Sequence, residues 1–496
     1  MSLKKRDIGL WIGPLVFFLV RLFFNPDNLS DEGNAVLAAT IWIGIWWVTE
    51  AIPIAATSLL PLVLFPLSGA LSLEEVGSSY GHKYIFLYIG GFILALGIEK
   101  WNLHKRIALN IVNIIGTDVK KVILGFMIAT AFLSMWISNT ATAVMMLPIG
   151  IAIIKKMKDL KSTPENENKI FGKALMLSIA FSASIGGIAT PIGTPPNLVF
   201  AGVIMELYEV KIPFWKWIFF ALPISIFLLS ISWYYLTNIA FKFSKTNFKR
   251  GQNELSMQLE KLGKISFEER LVGVIFGTTA LAWILRGFVQ KLFPENNFLS
   301  KIDDTIIALV SGLSLFLFNS TIKTKDNLRE KIMNWDYAVK LPWGILLLFG
   351  AGFAIAKGFK ASGLALWIAD GMTQLEGLSL ILILLIIIAS VNFLTEITSN
   401  VATISMLLPI LAPAALVLDV HPYVIMIGAT LAASCAFMLP VATPPNAVVF
   451  GSNYLKISDM ARVGIWMNII SIITVFIAVY YLLPIIWNFE AIGYPF

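Results

Sequence analysis

Apolar runs of helical length follow one another from Ile8 to Trp487, separated by short polar loops. At about 15–30 residues per crossing, they predict transmembrane helices near 8–24, 34–50, 54–67, 84–98, 172–203, 216–241, 269–291, 304–318, 341–359, 422–452 and 464–487, eleven in all. Two further runs, 122–154 and 379–418, are interrupted at their middles by Ser138-Asn139 and Ser399-Asn400. The arms of the first, 122–137 and 141–154, fall short of the roughly 20 residues a full crossing needs, so both runs are expected as re-entrant hairpins. The fold class expected is an all-α polytopic membrane protein.

Composition agrees, with 57% hydrophobic residues, 14% charged and a mean hydropathy of +0.80, and leaves no sizeable soluble domain. The basic N-terminus ahead of the first run lacks a small-residue cleavage pattern, so that run is expected as a retained helix. A single cysteine, Cys435, excludes an internal disulfide, and three scattered histidines form no metal-ligand cluster. The net charge of +7 resides in short loops, where it reads as a topology signal rather than a nucleic-acid surface. The basic stretches 4–6, 104–106 with 120–121, 155–169, 242–264 and 323–331 all fall on one side, the cytoplasmic one. The acidic stretches 27–32 and 74–75, and the loop 412–422 without Lys or Arg, fall on the other. The N-terminus is then cytoplasmic, the C-terminus outside, and the plasma (inner) membrane of a bacterium the expected location.

The chain repeats itself. Gly91-Phe92 recurs as Gly352-Phe353 and Ser138-Asn139 as Ser399-Asn400, both at an offset of 261 residues. Around the second pair, SNTATAVMMLPIG and SNVATISMLLPIL agree at eight of thirteen places. Thr194-Pro195-Pro196-Asn197 recurs as Thr443-Pro444-Pro445-Asn446 at an offset of 249. The span before one hairpin runs inward and the span before the other outward, which makes the copies an inverted repeat, the architecture of secondary transporters. Chance similarity of apolar helices does not produce both motifs twice and in order.

Both motifs break helices inside the membrane. Ser or Asn at a helix start caps orphan amides, and Thr-Pro places an N-cap before a first-turn proline that cannot continue an upstream helix. The helices 172–203 and 422–452 are therefore expected to break near Thr194 and Thr443. Four helix N-termini then become available to one anion without a buried arginine. Freed carbonyls, with the oxygens of Ser134, Ser138, Asn139, Thr395 and Asn400, are hard ligands suited to an alkali cation. Glu50, Lys357 and Glu396 are intramembrane charges expected to pair structurally, Glu396 orienting the second hairpin, while Arg286 and Arg462 are expected to snorkel or anchor at span ends. An intramembrane enzyme would need a nucleophile and base, yet His82, His104 and His421 have no sequence-near Ser or Cys partner. A passive channel fits the occluding motifs poorly.

At these residues the chain resembles the divalent-anion:sodium symporter family, from Trp47-Val48-Thr49-Glu50-Ala51-Ile52-Pro53 to the last span. The resemblance implies a homodimer in the lipid bilayer that moves a small C4 or C5 dicarboxylate (malate, succinate, fumarate or 2-oxoglutarate) by an elevator mechanism, with citrate or sulfate as the alternative. It implies scaffold segments 1–83 and 204–340, a transport domain of 84–203 and 341–452, and a C-terminal span over 453–496. Substrate contacts would come from Ser138, Asn139, Thr140, Thr194, Pro195, Ser399, Asn400, Val401, Thr443 and Pro444. No cofactor is implied beyond sodium ions, one held by Ser134, Ser138, Asn139 and Gly193, a second by Thr395, Thr398, Asn400 and Ala442. The second motif departs from the family's repeated Ser-Asn-Thr, since Val401 stands where Thr140 stands in the first. Sodium symport and dicarboxylate exchange both stay open.

Overall fold

In the computed structural model, which describes residues 3–116, 118–159, 165–243, 257, 259–323, 329–372 and 379–495, helices form where the apolar runs lie and end where capping residues or prolines intervene. The basic stretches 155–169, 242–264 and 323–331 fall partly outside the described residues. The first part of the chain holds α1 (Leu3–Phe23), α2 (Asp31–Thr49), α3 (Ile54–Thr57), α4 (Leu60–Leu67), α5 (Leu73–Tyr80), α6 (Lys83–Lys100), α7 (Leu103–Ile115), α8 (Val119–Ser134), α9 (Asn139–Asp159), α10 (Glu165–Ile188), α11 (Pro195–Tyr208) and α12 (Phe214–Tyr234). The second part holds α13 (Phe267–Leu292), α14 (Asn297–Lys301), α15 (Asp304–Leu317), β1 (Asn319–Lys323), β2 (Arg329–Lys331), α16 (Trp335–Ala338), α17 (Trp343–Ala361), α18 (Leu364–Gly371), α19 (Leu380–Leu394), α20 (Asn400–Val417), α21 (Pro422–Ala433), α22 (Pro444–Phe450), α23 (Ile457–Ile477) and α24 (Leu483–Trp487). Among the described residues, seven helical stretches are long and apolar enough to cross a membrane: Leu73–Lys100, Glu167–Ile188, Phe214–Ala240, Phe267–Leu292, Trp343–Ala361, Asn400–Val417 and Ile457–Trp487.

Both expected breaks occur. The first long run splits into α10 and α11 and the second into α21 and α22, and in each the paired prolines form the first turn of the downstream helix. Each Ser-Asn motif likewise separates two helices, α8 from α9 and α19 from α20.

The structure corrects the sequence reading in several places. The run 54–67 is two helices, since Pro61 sits in the first turn of α4 and starts it afresh. The chain is not purely helical: β1 and β2 pair antiparallel, with Asn319 opposite Lys331. Five of these helices lie outside the predicted apolar runs: α5, α14, α16 and the pair α7 and α18. α7 is amphipathic, burying Leu103, Ala108, Leu109 and Val112 along one face. Both follow a residue in the left-handed region, Asn102 (φ 58°) and Gly363 (φ 74°), and these too are 261 residues apart. The repeat therefore extends to the backbone turn that ends α6 and α17.

Packing interleaves the two copies. α9 from the first lies against α22 from the second, and α20 from the second lies against α11 from the first. α10 is buried over most of its span at the centre of this arrangement, whereas α13 faces outward. Phe181 on α10 meets Phe437, from the unwound stretch between α21 and α22, edge to face at 5.0 Å.

Candidate functional site

At the first Ser-Asn motif the Ser138 hydroxyl accepts from the Ala141 N–H (3.3 Å), so α9 begins as a capped helix. The Asn139 amide lies 2.6 Å from Ser134 Oγ, 3.1 Å from the Ala183 carbonyl and 3.2 Å from the Gly193 carbonyl. Ser134 Oγ is also 2.6 Å from the Ala183 carbonyl, to which it donates. The two orientations of the amide have the same shape. With its nitrogen inward, Asn139 donates to all three neighbours. With its oxygen inward, Asn139 accepts from the Ser134 hydroxyl (2.6 Å) and sets a further hard oxygen beside the Ala183 and Gly193 carbonyls. These residues therefore fit a sodium ion by donor chemistry. Two glycines permit the approach: a Cβ at Gly187 would fall 2.3 Å from Asn139 Oδ1, and one at Gly193 would fall 2.5 Å from the Gly187 carbonyl.

The second motif repeats the cap but not the cradle. Ser399 Oγ accepts from the Ala402 N–H (3.5 Å). Asn400 Oδ1 turns back to its neighbour's N–H on Val401 (2.8 Å). Thr395, the counterpart of Ser134, donates to the Val391 and Asn392 carbonyls of its own helix, each at 3.0 Å. Thr398 Oγ1 is bonded to the Leu394 carbonyl and to Thr403 Oγ1, both at 2.8 Å. Of the first expected cation set the structure brings together Ser134, Asn139 and Gly193, while the Ser138 hydroxyl caps α9; in the second set Thr395 and Thr398 each bond a carbonyl of their own helix and Asn400 bonds the next residue. The motif's third position differs too, since Thr140 is exposed whereas Val401 is 7% exposed and packed in the core.

The unwound stretches are held by residues that sequence reasoning missed. Asn197 Nδ2 donates to the Gly187 (3.3 Å) and Thr190 (2.8 Å) carbonyls. Asn446 Nδ2 donates to the Ala436 (3.4 Å) and Leu439 (3.0 Å) carbonyls, the same partners 249 residues on. Both asparagines belong to the duplicated Thr-Pro-Pro-Asn, so their duplication was the available signal. Thr443 caps α22 through the Asn446 N–H (3.4 Å). Thr194 occupies the equivalent N-cap but makes no side-chain cap bond; its hydroxyl is buried without a partner among the described residues, contrary to expectation. Pro195 is half-buried and Pro444 exposed.

Hairpin tips are pinned to these stretches differently in the two copies. In the first, Thr190 Oγ1 donates to the Met135 carbonyl. In the second, buried Glu396 accepts from the backbone N–H groups of Phe437 (2.8 Å), Met438 (3.0 Å) and Leu439 (2.9 Å) and from Asn468 Nδ2 (2.7 Å). Asn392 on α19 adds a bond to the Cys435 carbonyl (2.7 Å). Glu396 thus fastens the hairpin tip to the broken helix.

The other charges resolve as follows. Lys357 donates to Ser78 Oγ (2.9 Å) and the Glu75 carbonyl (3.1 Å), a structural pairing. Glu50 follows the end of α2 as its exposed, left-handed C-cap (φ 48°). Arg286 does not snorkel. It forms a two-pronged pair with Asp304 (2.8 and 3.1 Å), whose carboxylate also accepts from the Phe214 N–H (2.9 Å).

A family model described as "Sodium:sulfate symporter transmembrane region" matches residues 5–487. The sodium-dependent dicarboxylate transporter SdcS of Staphylococcus saprophyticus is 47% identical over 480 residues, 96% of this chain and 91% of that one. The protein of the same name from Staphylococcus aureus is 48% identical over 485 residues, 97% of this chain and 92% of that one. Two solved transporters share the fold at low identity. The Alcanivorax borkumensis YdaH transporter has a TM-score of 0.55 and 12% identity, over 91% of this chain and 98% of that one. Neisseria gonorrhoeae MtrF has a TM-score of 0.57 and 13% identity, over 99% of this chain and 96% of that one. The intramembrane-enzyme reading falls with these relationships, and a chain covered by the family model almost end to end belongs to the divalent-anion:sodium symporter family.

Proposed function

We propose that this protein carries C4 or C5 dicarboxylates across the bacterial inner membrane together with sodium. The observation that carries the reading is the cluster of the Ser134 hydroxyl, the Asn139 amide and the Ala183 and Gly193 carbonyls lying beside the N-terminus of α9. The first-turn amides of α9 and α20 offer N–H groups and positive partial charge to a carboxylate. Bound at the cradle, sodium supplies a positive charge next to that anion-binding end, which links occupancy of one site to the other. Ser134 and Asn139 hold the cradle, Ser138 and Ser399 fix the helix starts, and Thr140, Asn400 and Pro444 are the partly or wholly exposed groups left to contact substrate. The relatives named as sodium-dependent dicarboxylate transporters support both halves of the reading over sulfate or citrate. Burial of Val401 supports symport over exchange, because its missing hydroxyl is not one the site would have used.

In this reading the chain crosses the membrane eleven times with two re-entrant hairpins, N-terminus inside and C-terminus outside, as a homodimer. The interleaving of α9 with α22 and of α11 with α20 makes the site-bearing helices one body. That body is the transport domain, moving as an elevator against the scaffold.

The test is uptake of labelled malate, succinate or 2-oxoglutarate by proteoliposomes. Uptake into empty vesicles with sodium outside is expected. Uptake only into preloaded, sodium-free vesicles would replace symport by exchange. No uptake in either arm, or full inhibition by sulfate alone, would overturn the dicarboxylate reading.

A further inference from the structure

The outer wall between α12 and α23 carries a groove remote from the Ser-Asn motifs. It encloses about 580 Å³ and is lined by Tyr235 and Ile239 on one side and Asp459, Arg462, Trp466 and Ile470 on the other. On α23, Arg462, Trp466 and Ile470 stand four residues apart, so they stack on one face in steps of about 6 Å. The facing wall is a π-helical turn, Tyr235–Ala240, that extends α12. Such turns are uncommon and concentrate at functional sites. Tyr235 closes the inner side of the groove by donating to the Val463 carbonyl (3.2 Å). The outer side is open: Trp466 is 56% and Ile239 60% exposed.

One end of the groove is cationic and the rest is apolar. Asp459 is neutralised by Lys173 at 2.7 Å, and Lys456 also lies within its electrostatic reach. The Arg462 guanidinium is exposed and, among the described residues, has neither an ion pair nor a hydrogen bond. Three cations against one carboxylate leave the mouth positive. This end adjoins the start of α23 and the end of α12, where the basic stretch 242–264 begins, the side assigned to the cytoplasm.

We propose that this groove binds an anionic phospholipid of the inner leaflet. The lipid phosphate sits on the Arg462 guanidinium, which presents a planar fork of donors to two phosphate oxygens. One acyl chain follows Trp466, Ile470 and Ile239 toward the membrane centre. Positive pockets between helices on the cytoplasmic side recognise lipid headgroups in this way. The position gives the lipid a consequence for the site-bearing body. α12 packs on α10, and α23 packs on α19 and α21. Gly464, two residues from Arg462, lies so close to the unwound stretch that a Cβ there would meet the Phe437 carbonyl at 2.3 Å.

Native mass spectrometry of the detergent-purified full chain tests this, titrated with dioleoylphosphatidylglycerol or dioleoylphosphatidylcholine. The wild type should retain phosphatidylglycerol in preference to phosphatidylcholine. Arg462→Ala should weaken that binding about tenfold, the loss of one charge-assisted contact, while Arg462→Lys retains part of it. Trp466→Ala should shorten retention of the same lipid. Equal retention of both lipids, or unchanged phosphatidylglycerol binding in Arg462→Ala, would overturn the proposal. So would competition by glycerophosphoglycerol, the headgroup without chains, at the lipid's own saturating concentration, which would make this a soluble-anion site. If Arg462→Ala fails to fold, Arg462→Lys and Trp466→Ala decide the matter. The assay requires no transport, so its outcome is independent of the dicarboxylate uptake experiment.

Discussion

Replacing Glu396 with alanine removes the acceptor from four donors at once, the N–H groups of Phe437, Met438 and Leu439 and the Asn468 amide. Glu396 is 3% exposed, so water cannot easily take its place. A hydrogen bond to a charged group contributes about 1.5–3 kcal/mol, but the four share one carboxylate and one short segment, so their losses do not add fully. A net cost of about 4 kcal/mol is expected, concentrated on the unwound stretch between α21 and α22. The chain carries its own reporter there: Cys435 is the single cysteine and is fully buried, two residues from Phe437. Labelling by a thiol-reactive dye should therefore accelerate at least tenfold in Glu396→Ala, and the thermal midpoint should fall by roughly 5 °C. Glu396→Gln keeps one acceptor oxygen but turns an amide nitrogen toward backbone donors, so it should fall between the two. Asn468→Ala removes a single partner and should cost about 1 kcal/mol. Unchanged Cys435 labelling together with an unchanged midpoint in Glu396→Ala would refute the assigned role.

Asn139→Ala and Asn400→Ala should each abolish dicarboxylate uptake while folding and oligomeric state persist; near-normal uptake in either would remove that residue from the site. Val401→Thr should leave the sodium dependence of uptake unchanged, because the side chain is buried, and should lower stability by about 1 kcal/mol, since a hydroxyl replaces a methyl in the core. A switch of coupling mode in that variant would show that position 401 does face the substrate. Arg286→Ala strands Asp304 as an unpaired buried carboxylate and should destabilise the protein by about 3–5 kcal/mol in a thermal melt. No change would return Arg286 to the role of a snorkelling anchor.

The membrane class, the repeat and the four helix breaks were legible in the sequence because each follows from local chemistry. Long apolar runs have no other stable solvent, Thr-Pro-Pro supplies a helix start that no upstream helix can run through, and Ser-Asn supplies a cap where a helix begins. The capping role of Ser138 and Ser399 is local in the same sense. α7 escaped because its signal is a period rather than a run, and β1 and β2 because short polar strands are defined by their partner.

Tertiary structure decided the rest. Ser134 and Thr395 hold equivalent places in the repeat, yet one hydroxyl joins an asparagine and a neighbouring helix while the other bonds within its own turn. Glu396 reaches backbone amides some forty residues away, and Arg286 reaches Asp304 across a helix boundary. Such bonds join residues that only packing brings together, because a buried donor or acceptor takes whichever partner the surrounding helices present. A repeated sequence therefore specifies where the chain breaks, and the packing around each break decides what the two unequal halves can hold.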